Sequence, residues 1–265
     1  MLDVLAPIGF FDSGVGGLSV MQEVRRLLPS ENMIYFADSK HCPYGGKAPA
    51  LIRERAFIIS DFLIAQGAKL LVIACNSASI TALDDVRERA KVPVVGLEPA
   101  VKPAVAITKN GKVGVLATGV TLAGDRFHSL VERFGESVEV YTQACPGLVE
   151  LIESGNLSGP ETEALLRRYL EPLLARNVDT IVLGCTHYPF LRPLLHHMLG
   201  NEITIIDSGP GVARQVERLL QAGQMAAAKG SGYERFYTSG AREPVEKVIR
   251  LLWEDSRCTV EQVEI

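Results

Sequence analysis

The stretch Leu70-Leu71-Val72-Ile73-Ala74-Cys75-Asn76-Ser77 decides the reading of the fold, because its pattern returns as Thr180-Ile181-Val182-Leu183-Gly184-Cys185-Thr186-His187. Each is a short apolar run that ends in a cysteine and passes at once into hydrogen-bonding residues. Unbroken runs of that length are characteristic of strands buried on both faces of a parallel sheet. A second pair, Ile8-Gly9-Phe10-Phe11-Asp12-Ser13-Gly14 and Val113-Gly114-Val115-Leu116-Ala117-Thr118-Gly119, recurs at nearly the same separation. The chain therefore reads as two related units, each offering one thiol at a strand end. Facing units would hold a small molecule between two sulfurs. That is the geometry needed to take a proton from one face of a carbon and return it to the other.

Working outward, strand and helix signals alternate from end to end, which gives an α/β class with parallel sheets and helices on both faces. Strands are expected over 8–11, 33–37, 69–74 and 92–96, with helices after the glycine-rich turn to Pro29, over 51–65 and over 78–90. The pattern restarts at Val113 with a strand, followed by strands over 138–142, 180–183 and 203–206 and helices over 125–134, 160–176, 190–199 and 211–222. A strand over 234–237 and a helix with Pro244 in its first turn close the chain. No long Pro/Ser linker separates the units, so the second is expected to be inserted into the first. The division is 1–99 plus 212–265 for one domain and 100–211 for the other.

The chain has 265 residues, 47% hydrophobic and 22% charged, with a formal net charge of −4. That is enough apolar surface for one large or two ordinary α/β domains. An acidic balance without a basic cluster argues against nucleic acid as a partner. No apolar stretch reaches the 18 to 20 or so residues of a membrane span, and the N-terminus lacks the form of a signal peptide. A cytoplasmic location without membrane association is expected. The five cysteines have no C-x-x-C pair, so neither zinc nor disulfide spacing is present, and reduced thiols are expected.

Ligands of parallel sheets gather at the carboxyl ends of strands. There this sequence places both cysteines, Asp12 and the turn Asp12-Ser13-Gly14-Val15-Gly16-Gly17. The turn offers ordinary helix caps, and its glycines also permit a nest of backbone N–H groups for a carboxylate or phosphate. Asp38, ending the next strand, raises a dinucleotide reading. Against it, Ser19 stands where G-x-G-x-x-G needs its last glycine, and Asp12 would repel a pyrophosphate. Pro43-Tyr44-Gly45-Gly46 is a turn by composition, with amides and the Tyr44 hydroxyl available to a ligand carboxylate. Asn76 and Ser77 are helix caps by default, a role compatible with donating to a ligand. His187 lies two residues after Cys185, on the same side in extended backbone, so imidazole and thiol can sit together. His196 and His197 fall mid-helix as solvated or packed side chains, Glu150 and Glu153 share one helical face, and Cys145 and Cys258 read as structural.

Together, Phe11-Asp12-Ser13-Gly14-Val15-Gly16-Gly17, Pro43-Tyr44-Gly45, Ala74-Cys75-Asn76-Ser77-Ala78-Ser79 and Gly184-Cys185-Thr186-His187-Tyr188-Pro189 resemble the cofactor-independent aspartate/glutamate racemases, and the glutamate branch in particular. The likeness runs from about Ile8 to Leu220. It implies two pseudo-symmetric α/β domains with the active site in the cleft between them, no cofactor and no metal, and D-glutamate made for peptidoglycan. It further implies that Cys75 and Cys185 are the acid/base pair, with Asp12 beside Cys75, and His187 with an acidic residue beside Cys185. That residue is placed at Glu153 on its Glu-Ser-Gly context, with Glu150 the alternative. By the same resemblance Asp12, Ser13, Tyr44, Gly45, Asn76, Ser77, Thr186 and His187 hold the substrate. Ser77 for the usual Thr, His41-Cys42 before the Pro-Tyr-Gly turn, and an altered Thr118-Gly119-Val120-Thr121 depart from the pattern. A homodimer stays open.

The α-hydrogen of glutamate is a very weak acid, so a site without an electron-sink cofactor must stabilise the developing charge with preorganised donors. A free thiol, with a pKa of about 8.5, is close enough to neutrality to act in either protonation state. Rival readings are an aspartate racemase, a one-cysteine enzyme such as an amidase using Cys185 with His187 or a decarboxylase that protonates from one side only, and a binding protein with inert thiols. The second cysteine opposes the one-sided reactions.

Overall fold

The computed structural model describes residues 3–134, 138–227 and 232–265, so Met1-Leu2 of the N-terminal reading lies outside it. Strands β1 (Ile8–Asp12), β2 (Met33–Ala37), β3 (Leu70–Ile73) and β4 (Val94–Val95) begin one sheet, and β5 (Lys112–Ala117), β6 (Glu139–Ala144), β7 (Thr180–Gly184) and β8 (Thr204–Asp207) form another. The chain then returns with β9 (Glu234–Thr238) and β10 (Val260–Gln262). The larger sheet runs β10-β9-β2-β1-β3-β4 and the smaller β6-β5-β7-β8. Every pairing in both is parallel. The returning helix Gly209–Ala222 packs on the helix Leu18–Leu27.

Alternation along the strands explains why both faces of the larger sheet are apolar. Ile8, Phe10, Met33, Tyr35, Leu70 and Val72 enter one core cluster. Their neighbours Phe11, Ile34, Phe36, Leu71 and Ile73 enter the cluster on the opposite face. In the smaller sheet Val113, Val115, Ala117 and Val182 point to one side, while Leu116, Ile181 and Leu183 join the larger core. Parallel strands covered on both faces need this double apolar pattern.

Several local expectations shift. Strand β10 and the short helices Val101–Ile107 and Gly119–Ala123 are additional elements, too short for their periodicity to be read. The strand expected over 138–142 is Glu139–Ala144, and the helix expected over 190–199 is a 3₁₀ turn, Tyr188–Leu191, leading into Arg192–Leu199. Pro189 and Pro193 each lack an N–H and sit in first turns, where none is needed. Asn76 and Ser77 are not caps: they lie inside the first turn of Asn76–Arg89, whose N-cap is Cys75, without a side-chain capping bond.

Candidate active site

Parallel register brings the functional residues to one edge of each sheet. Asp12 ends β1 opposite Ala37, Phe11 pairs with Ile73 just before Ala74-Cys75, and Ala117 pairs with Gly184 just before Cys185. Both sulfurs border one small cavity, shared with Asp12, Tyr44, Asn76 and His187. Ser13, Gly45, Ser77 and Thr186 line it too. The two cysteines are 5% and 6% exposed, so both thiols are screened from bulk water.

The turn after β1 is filled by the protein's own carboxylates. Asp12 Oδ1 accepts from the Ser13 amide at 2.7 Å and Oδ2 from the Gly17 amide at 2.8 Å. The Val15 amide donates to Glu153 Oε1 at 2.7 Å. Three amides of the expected anion nest are thus already committed, and the turn's task is to fix two acids. Its glycines serve close approach: a Cβ at Gly14 would strike the Glu153 carboxylate, and one at Gly16 the His187 ring. Glu153 is delivered from the other lobe by Leu148–Glu153, a helix that Gly147 starts with a φ of 90°, in the left-handed region that favours glycine.

On one wall, burial pushes the Cys75 thiol well above its ordinary pKa and the Asp12 charge pushes further, against backbone hydrogen bonds from Ala78 and Ser13. Cys75 therefore rests as a thiol. On the other wall, Cys185 Sγ lies 3.7 Å from His187 Nδ1, and His187 Nε2 lies 2.6 Å from Glu153 Oε1. Burial disfavours charge on His187, but its bonds to Cys185, Cys42 and Glu153, with Asp12 nearby, hold its pKa well above the usual imidazole range. Asp12 Oδ2, 3.8 Å from His187 Nδ1, touches both walls. Glu150 instead lies exposed, on the rim of a neighbouring hollow with Gly147 and Lys47.

Hydroxyls tie the lobes together across the cleft. Ser77 Oγ is 3.0 Å from Thr118 Oγ1; Ser19 Oγ donates to the Thr186 carbonyl at 2.7 Å, and Thr186 Oγ1 to Asp12 Oδ2 at 3.4 Å. The buried Asn76 Nδ2 has no hydrogen-bond partner. Asn76 lines the cavity, so an acceptor placed there would satisfy that donor.

The Tyr44 hydroxyl is not free for a ligand carboxylate, because it donates to Asp38 Oδ2 at 2.5 Å. Asp38 also receives two bonds from Arg55, at 3.0 and 2.9 Å, and one from Ser239 at 2.7 Å. Burial would raise the Asp38 carboxyl, but the bonds from Arg55, Tyr44 and Ser239 outweigh it and hold it below its usual range. A carboxylate so engaged cannot bind a ribose, which disposes of the dinucleotide reading. The sequence gives no sign of this clamp, because Arg55 lies mid-helix with no local signal of its partner. Nor does it single out Cys42, whose thiol burial pushes up to about 12 against a bond from His187.

Residues 8–216 match the family model described as Asp/Glu/Hydantoin racemase. The chain belongs to that family. It is 53% identical over 249 residues to a glutamate racemase of Pseudomonas aeruginosa, covering 94% of each chain. Among solved structures, a glutamate racemase isoform from Bacillus anthracis superposes with a TM-score of 0.89 at 32% identity, covering 98% of each chain. The Escherichia coli glutamate racemase, solved with L-glutamate and the activator UDP-MurNAc-ala, gives 0.87 at 36% identity, over 97% of this chain and 98% of that one. Among the described residues, no helix is long and apolar enough to cross a membrane.

Proposed function

We propose that this chain interconverts L- and D-glutamate by two-base proton transfer between Cys75 and Cys185, needing no cofactor or metal, and that it supplies D-glutamate for cytoplasmic steps of peptidoglycan synthesis. The observation that carries the reading is a single cavity bordered by one sulfur from each lobe, with unlike proton-handling partners. The lobes are 1–99 plus 212–265 and 100–211, and the cleft between them is the active site.

In the L-to-D direction Cys185 removes the α-proton, with His187 and Glu153 holding the charge that develops on that side, while Cys75 delivers its proton to the opposite face. In the reverse direction the roles exchange. Asp12 is close enough to both walls to stabilise either protonation pattern. Asn76 Nδ2, the Thr186 hydroxyl and the Gly45 turn bind the substrate carboxylates, with Ser13, Tyr44 and Ser77 shaping their pocket. The N-terminus of Asn76–Arg89 adds a favourable dipole for negative charge.

Circular dichroism on glutamate and aspartate, in parallel with α-deuterium incorporation in D₂O, tests the proposal. Inversion of glutamate with exchange is expected, and Cys75→Ala or Cys185→Ala stops it. Full racemisation by either variant, or inversion of aspartate without glutamate, would refute the assignment.

A further inference from the structure

Cys42 stands outside the proton-transfer scheme, yet its sulfur, a carboxylate oxygen of Glu153 and a ring nitrogen of His187 all lie within 4.8 Å of one another. The three come from distant parts of the chain, so no ligand spacing in the sequence announces them. Cys42 follows the 3₁₀ turn Ser39–His41, Glu153 ends a helix of the other lobe, and His187 follows β7. Gly14 is the platform on which two of them meet, since a Cβ there would contact Cys42 Sγ at 2.9 Å as well as the Glu153 carboxylate.

We propose that Cys42, Glu153 and His187 form an inhibitory site for a thiophilic divalent cation, of which Zn²⁺ is the type. For three atoms so spaced, some point lies within about 2.8 Å of all of them, and Zn–S, Zn–N and Zn–O bonds are about 2.0 to 2.3 Å. Closure requires side-chain shifts on the order of 0.5 Å, which the 19% exposed Glu153 side chain and the partly exposed Cys42 can make. Thiolate, imidazole and carboxylate together select Zn²⁺ over Mg²⁺ or Ca²⁺. Two anionic ligands balance the ion's charge, and the Cys42 proton, with any second proton on His187, leaves to solvent on binding.

Occupancy has a consequence for catalysis. An ion on the Glu153 carboxylate competes for it with His187 Nε2, now 2.6 Å from Oε1, so the metal uncouples the pair that serves Cys185. Metal binding rests on this geometry alone; inhibition rests in addition on the catalytic reading of Glu153 and His187.

The test titrates Zn²⁺ into the intact protein by calorimetry, and Co²⁺ while following the sulfur-to-cobalt charge-transfer absorption. One tight ion is expected. Cys42→Ser should weaken it at least tenfold and lose the charge-transfer band while still racemising, whereas Cys75→Ala should bind as the native chain does. Cys42→Ala serves as a second variant if the serine form is poorly folded. Unchanged affinity in both Cys42 variants, or equal loss in Cys75→Ala, would overturn the site. Racemisation should fall in step with zinc occupancy in the native chain and resist zinc in Cys42→Ser. A zinc-loaded native chain that racemises at full rate would leave the metal site standing and overturn both the inhibition and the part assigned to Glu153 and His187.

Discussion

The two walls of the cleft present the same chemical group in unlike settings. Cys75 sits at a helix start beside a carboxylate whose oxygens are tied to backbone amides, and it is held as a thiol. Cys185 meets an imidazole backed by a second carboxylate, a relay through which a proton can pass. The related sheets place each sulfur at a strand end, while the loops decide how each handles its proton. Pseudo-symmetry of backbone thus coexists with asymmetry of chemistry, and a reaction whose substrate and product are mirror images does not require a mirror-symmetric site.

The sharpest way to break this comparison is to remove either sulfur. Cys75→Ala and Cys185→Ala should each lower kcat by at least about 10³-fold, within the range that general acid–base groups contribute. Because enantiomers are equal in free energy, kcat/KM must fall equally in both directions, so any difference between the walls must be sought in isotope effects.

The Cys75 lobe alone carries the buried clamp beneath Tyr44, in which the Arg55 and Asp38 side chains are 6% and 0% exposed. Replacing Arg55 with Leu strands a buried carboxylate and should cost about 3 to 5 kcal/mol of stability, read as a lower unfolding midpoint in urea. Asp38 adds a sign that can be checked. Its folded pKa lies below its unfolded value, so its stabilisation is complete above about pH 4 and is lost as pH falls through the folded pKa. Asp38→Asn should therefore flatten the acid limb of stability against pH, and an unchanged limb would show that the clamp is not its cause.

Glu153→Gln should reduce kcat by about 10- to 100-fold, the range expected when a positioned catalytic group is displaced. It should also raise the primary deuterium isotope effect more for L-glutamate than for D-glutamate, because only the Cys185 step loses its support. Equal rises from both enantiomers would mean that the relay serves both walls alike. The smallest effect should come from Glu150→Gln, whose rates should stay within about twofold of native because its side chain lies outside the relay.

The sequence reading went furthest where chemistry lies next to a strand end. Buried apolar runs marked the strands, and the residues after them, Asp12, Cys75, Cys185 and His187, border one cavity because parallel register brings such positions together. Glu153 was harder to read: helical spacing put it on a face with Glu150, and only the Val15 amide and the His187 ring, both remote in sequence, separate the two. Gly14 and Gly16 are ambiguous in sequence, since glycines that expose amides and glycines that admit neighbours have the same local pattern. The Asp38 clamp was not legible, because a buried ion pair between a strand end and a mid-helix arginine has no periodicity.

The order of strands bears on how the chain is made. The smaller sheet is continuous in sequence, so its four strands can pair before translation ends. The larger sheet begins earlier yet waits longer: β2 receives its outer neighbour β9, and then β10, only from the final stretch of chain. During elongation β2 is an open edge of apolar backbone, the kind of surface that recruits wrong partners. A ribosome paused before residue 234 would hold a chain with one sheet complete and the other still exposed, and burial of that edge by chaperones would be most needed there.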